Sequence, residues 1–214
     1  MTEEEWVQMS SDEMHAAICR FDVRRRRLFA VACCRVLGEL LVSPAPESLQ
    51  AVELFADTGK TKVALRKARQ ALRVARSAAS PPPGGDTRLF WAFWAIEVAA
   101  SENAYSFAPS EVLRVFYCEN LSQPEARRRL FSTYRDFLGP PESTPGFVPA
   151  WQTSTAIALA TQMYDSRDFS PMPILADALQ DVGCTNEDIL NHCRDEKQVH
   201  VRGCWVVDLV LGKV

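Results

Sequence analysis

Three proline-bearing interruptions divide this chain of 214 residues into four blocks: Pro44 with Pro46, then Pro81-Pro82-Pro83-Gly84-Gly85, then Pro140-Pro141 through Pro149. Proline removes a backbone donor and biases the residue before it away from helix, so regular elements stop at these points. Between the cuts, apolar residues recur three and four apart, the period of an amphipathic helix. No run alternates convincingly over strand length, although Val199 to Val210 can be read as a strand or as a helix. The expected fold class is therefore all-α, a multi-helix orthogonal bundle with a C-terminal helical hairpin and tail.

Local signals refine this expectation. Thr2 with Glu5 forms a capping box ahead of a short first helix, and Ser11 or Asp12 can cap a second that runs to about Cys19. A long amphipathic helix follows from Asp22, carrying Arg24 to Arg27 in its first turns, where cations oppose the macrodipole and need acidic neighbours or solvent. A helical pair at Glu47–Asp57 and Lys60–Ser80 flanks Gly59. Next comes an aromatic helix, opened by Asp86 or Thr87, whose Phe90, Trp91, Phe93 and Trp94 predict burial around most of its circumference. Ser110–Tyr117, Ser122–Leu138, Ser154–Tyr164, Pro173–Val182 and Asn186–Arg194 complete the helices, with Gly183 at a C-terminal cap and Thr185 with Asp188 as a further capping pattern. Two organisations fit: an N-terminal helical part at 1–80 with a C-terminal part at 86–214 that includes a hairpin and tail at 171–214, or one continuous domain.

A hydrophobic fraction of 47% with 24% charged residues is ordinary globular composition, long enough to bury a core. Seven cysteines, an odd number without framework spacing, favour reduced thiols and hence a cytoplasmic setting. The opening Thr2-Glu3-Glu4-Glu5 is unlike a secretory signal, and the most apolar window, Leu89 to Ala100, contains Glu97 and is shorter than the roughly 20 residues of a membrane span. A soluble protein with no membrane partner is expected.

Three segments carry a resemblance: the opening Thr2-Glu3-Glu4-Glu5-Trp6, the run Arg27-Leu28-Phe29-Ala30-Val31-Ala32-Cys33-Cys34-Arg35, and the tail Pro173 to Leu179 with His200-Val201-Arg202-Gly203-Cys204-Trp205-Val206-Val207-Asp208. Together they resemble an uncharacterised family of stand-alone proteins abundant in planctomycete bacteria. The resemblance implies no activity. Members of that family have a Gly-Pro-rich turn before the tail histidine, whereas Asp195-Glu196-Lys197-Gln198 stands there in this chain.

The densest chemistry lies in the tail. Cys184, His192, His200 and Cys204 offer the thiolate and imidazole donors that zinc prefers, with His200 and Cys204 four apart. His192 and Cys193, being adjacent, point apart and do not both ligate one ion. No Cys-x-x-Cys pair occurs, so the competing reading makes Cys184, Cys193 and Cys204 small buried hydrophobes beside hydrogen-bonded histidines. A nucleophilic Cys204 with His200 as base is disfavoured by the apolar Trp205-Val206-Val207 that follows. Asp208, an acid in that apolar tail, needs a partner such as Arg202 or His200 if buried.

A second candidate is a basic ridge. Lys62, Arg66, Arg69, Arg73 and Arg76 recur at spacings of four and three, opposite the apolar Leu65, Ala68, Leu72, Ala75 and Ala79. Such a face suits nucleic acid or an acidic partner, against the ordinary reading of a solvated helix face. Gly59-Lys60-Thr61 is no phosphate loop, because Leu54 occupies the position that requires glycine and no strand precedes it. Gly183-Cys184-Thr185 fits a plain helical hairpin better than a DNA-reading turn, since Glu187 and Asp188 would face phosphates.

With no catalytic carboxylate pair, phosphate loop or ordered triad in the sequence, the leading expectation is a non-enzymatic interaction or regulatory module with a protein partner. A zinc-binding domain centred on the Cys/His cluster and a nucleic-acid-associated protein are the alternatives.

Overall fold

The computed structural model describes residues 2–81, 83–103, 105–139 and 147–213, so Pro82 and the 140–146 part of the third interruption lie outside them. Among these residues the chain is all-α, a multi-helix bundle of twelve α-helices with no strand. It divides into two compact units, Met1–Phe131 and Ser132–Val214.

The first unit holds α1 (Glu3–Gln8), α2 (Ser11–Ile18), α3 (Val23–Arg35), α4 (Ala45–Thr58), α5 (Lys62–Ala78), α6 (Arg88–Ala99), α7 (Ala108–Cys118) and the beginning of α8 (Gln123–Leu138). Thr2 and Glu5 form the expected capping box, and Asp22 caps α3; the cap of α2 is Ser10, paired with Glu13 in a second box, rather than the expected Ser11 or Asp12, which lie inside the helix. Gly59 takes the left-handed conformation that ends α4, at φ 65°. The basic start of α3 is neutralised in two ways: Arg24 pairs with Asp57 at 2.9 Å, while buried Arg27 donates to the carbonyls of Ala99, Ser101 and Glu102. The Arg27 guanidinium also lies over the rings of Tyr105 and Phe55, and burial lowers its pKa.

Helix α6 packs on both α5 and α7. The proline stretch at 81–85 is thus a connection inside the first unit rather than a boundary, and the division falls within α8, between Phe131 and Ser132. The physical reason is the contact between α5 and α6: Leu65 and Leu72 are buried, and Arg73 and Arg76 both reach the buried carboxylate of Glu97. The aromatic helix also departs from expectation. Phe93 is buried, but Trp91 and Trp94 are only half-buried, so α6 keeps one indole-bearing side accessible.

The second unit comprises the end of α8, then α9 (Ser154–Ser166), α10 (Met172–Asp181), α11 (Glu187–Arg194) and α12 (Trp205–Val210). Helices α10 and α11 form the expected hairpin, with Gly183 at φ 88° in the turn. The cap of α11 is Asn186, whose side-chain oxygen accepts from the amides of Asp188 and Ile189, in place of the expected Thr185. The ambiguous segment near the end is settled as helix α12 after an irregular loop. Met163, Leu175, Leu179, Ile189, Val206 and Val207 form its core, together with Cys184, Cys193 and Cys204. No helix among the described residues is long and apolar enough to cross a membrane.

The two faces of α5 give a direct check. Leu72→Ala, at a fully buried site, is expected to cost about 2–5 kcal/mol, whereas Val74→Ala, with 62% of the residue exposed, should cost less than about 0.5 kcal/mol. Urea denaturation of both variants measures the difference, and equal losses would contradict the packing described.

Candidate metal centre

The last turns of α8 organise the site. Ser132, Arg135 and Asp136 are spaced three and four apart, so they share one face of the helix. Each holds the loop between α11 and α12. The Ser132 carbonyl accepts from Gln198 Nε2 at 2.8 Å and its hydroxyl from the Val199 amide at 3.1 Å. Arg135 pairs with Asp195 at 2.9 Å, and Asp136 Oδ2 accepts from the Val201 amide at 2.8 Å. A loop without regular structure is thereby pinned along its length.

That pinning delivers His200 and Cys204 to Asp136, and α11 supplies His192. His200 Nδ1 lies 2.8 Å and His192 Nε2 3.1 Å from Asp136 Oδ1. Cys204 Sγ is 3.3 Å from His192 Nε2 and 3.8 Å from His200 Nδ1. One donor atom from each of the four residues lies within 4.8 Å of the other three. The carboxylate and the thiol are fully buried, and the two imidazoles are 8% and 6% exposed. Trp205 closes one side, its ring centroid 5.0 Å from that of His192.

The electrostatics are those of charges held without water. Burial pushes the Asp136 carboxyl up, but hydrogen bonds from His192 and His200 more than reverse it and hold the group below its ordinary value. Burial pulls the His192 imidazole down against the opposing pull of Asp136. Burial also raises the Cys204 thiol well above its usual range, with the Asp136 charge adding to it.

Of the four ligands expected from the sequence, the structure brings together His192, His200 and Cys204. Cys184 is not among the converging donors: it is 1% exposed within the apolar core formed by α9 to α12, with Cys193. Asp136 takes its place, 64 residues before His200. The available signal was a carboxylate among Tyr134, Phe137 and Leu138, at the apolar end of α8. Asp208 is fully buried as well, but His200 turns to Asp136 instead.

The residues of the basic ridge lie in one row on α5, and its C-terminal end meets a carboxylate. Lys62 and Arg66 are exposed and Arg69 is half-buried, while Arg73 Nε and Arg76 Nε contact the two oxygens of Glu97 at 2.6 and 3.1 Å. The guanidinium of Arg76 further lies over Trp94, 4.6 Å from the ring centroid. A buried carboxylate thus offsets one of the two charges at the C-terminal end of the ridge, and Glu97 would otherwise be unpaired.

Comparison with family models, curated proteins and solved structures finds no match to this chain, so the side-chain constellation itself carries the functional argument.

Two aspartates of this loop network distinguish buried from exposed pairing. Asp136→Ala should destabilise the protein by about 3 kcal/mol or more, because it strands buried donors, and Asp195→Ala, on an exposed pair, by about 1 kcal/mol or less. Thermal and urea unfolding measure both, and a reversed order would contradict the pinning scheme.

Proposed function

We propose that residues 132–214 form a zinc-binding module in which Asp136 Oδ1, His192 Nε2, His200 Nδ1 and Cys204 Sγ are the four ligands. The observation that carries this reading is the spacing of the donor atoms. Bonds of about 2.0 Å to nitrogen and oxygen and about 2.3 Å to sulfur, arranged tetrahedrally, place N/O atoms about 3.3 Å from one another and about 3.5 Å from sulfur. Four of the six donor–donor distances are 2.8 and 3.1 Å between N/O atoms and 3.3 and 3.8 Å to sulfur, and all six lie within 4.8 Å.

Charge supports the same assignment. A carboxylate and a thiolate with two neutral imidazoles cancel a dication, so a buried site of this composition is neutral with metal bound. Binding displaces the thiol proton that burial otherwise retains. One thiolate with two imidazoles suits zinc better than magnesium or calcium, which take oxygen shells. The Val201 amide on Asp136 Oδ2 leaves Oδ1 to the metal, as an outer-shell partner does.

Four protein ligands close a tetrahedral shell, which assigns zinc a structural role. It ties α8, α11 and the start of α12 into one body and offers no open position for substrate. The chain then acts through the surface that this body presents, as an interaction module held in shape by its metal.

Metal analysis of untagged protein is expected to give about one zinc per chain. Cys204→Ala and His192→Ala should each reduce this to a trace, while Cys184→Ala should leave it unchanged. A strong chelator should lower the melting temperature, with zinc restoring it. Protein that is folded and zinc-free at equilibrium with excess zinc would overturn the proposal, as would retention of zinc by Cys204→Ala.

A further inference from the structure

The first unit holds a separate constellation on the accessible side of α6. A cavity of about 360 Å³ is lined by Arg76 from α5, Trp91 and Trp94 from α6, and Glu111 and Arg114 from α7. Its size falls within the range of small-molecule pockets. Each of the two guanidiniums lies over a ring and against a carboxylate. Arg76 lies over Trp94 and Phe90, at 4.6 and 5.4 Å from the ring centroids, with Nε held by Glu97. Arg114 lies over Trp91 at 5.0 Å, with Nε 2.9 Å from Glu111 Oε2. The latter is a charge contact rather than an aligned bond, since Glu111 Oε2 has no hydrogen-bond partner among the described residues.

Both arginines therefore spend Nε on a carboxylate and one flat face on an indole. Their terminal NH groups make no hydrogen bond to a described residue. Nor do the indole N–H groups of Trp91 and Trp94. Arg73, on the same carboxylate as Arg76, adds a third guanidinium, so three cations against Glu97 and Glu111 leave one net positive charge. Guanidiniums stacked and tethered in this way have lost little-needed freedom before any ligand arrives, which favours planar, two-pronged recognition of an oxyanion.

We infer that this cavity is a binding site for a phosphomonoester of a small organic molecule. A single fork satisfies a carboxylate, whereas two forks from two helices match the three terminal oxygens of a phosphate. The half-buried indoles supply apolar wall that an organic body covers and a bare anion does not. The site lies wholly in the first unit and does not depend on the metal assignment.

Isothermal calorimetry on the intact, metal-replete protein tests this with three probes: a nucleoside 5′-monophosphate, the parent nucleoside and inorganic phosphate. The monophosphate should bind saturably, inorganic phosphate more weakly, and the nucleoside not measurably. Arg114→Gln, at a side chain 54% exposed, should weaken the monophosphate by about tenfold or more at unchanged melting temperature, and Arg114→Lys should not restore it. Equal binding of nucleoside and monophosphate, equal binding of inorganic phosphate and monophosphate, an affinity indifferent to Arg114→Gln, or no saturable binding by either phosphate probe would each overturn the assignment.

Discussion

A carboxylate that has left water entirely, Asp136, sets the architecture of the second unit. Its two oxygens face the imidazole of His192 on α11 and the imidazole of His200 and amide of Val201 on the loop that follows it. An unpaired buried charge is expensive, so each of these contacts is needed to keep α8 in place. The same three contacts aim one carboxylate oxygen, two ring nitrogens and one sulfur at a common point. In the proposed centre a zinc ion would cancel the carboxylate and the thiolate together.

Glu97 has an equivalent role in the first unit. It is 3% exposed on α6 and is met by Arg73 and Arg76 from α5, and Arg76 is stacked in turn on α6 aromatics. What the sequence presents as a five-residue cationic stripe is thus divided by its neighbour. Lys62 and Arg66 remain solvated, whereas at the far end Arg73 and Arg76 share the buried carboxylate of Glu97. Position on the helix decides which arginines are surface and which are structure.

Much of the helical order was legible because it rests on local chemistry. Capping residues such as Thr2, Asp22 and Ser122, the left-handed Gly59 and the apolar period of α5 act within a few residues of themselves, and a sequence shows them directly. Three of the site residues were also visible, since His192, His200 and Cys204 are metal-type donors within one short stretch. Asp136 was not, because its role arises from a contact across 64 residues that no spacing rule encodes. Cys184 matches the ligand set by residue type alone, yet a cysteine packs as readily into an apolar core as onto an ion, and here it packs. The unit boundary inside α8 was hidden for a related reason: proline marks where helices stop, not where contacts thin out.

X-ray absorption at the zinc edge on the purified protein addresses the central claim most directly, because it reads the ligand shell itself. The proposed centre requires one sulfur at about 2.3 Å and three nitrogen or oxygen neighbours near 2.0 Å, with imidazole scattering beyond them. A shell without sulfur, one with two sulfurs, or a spectrum with no zinc after exposure to the metal would contradict it.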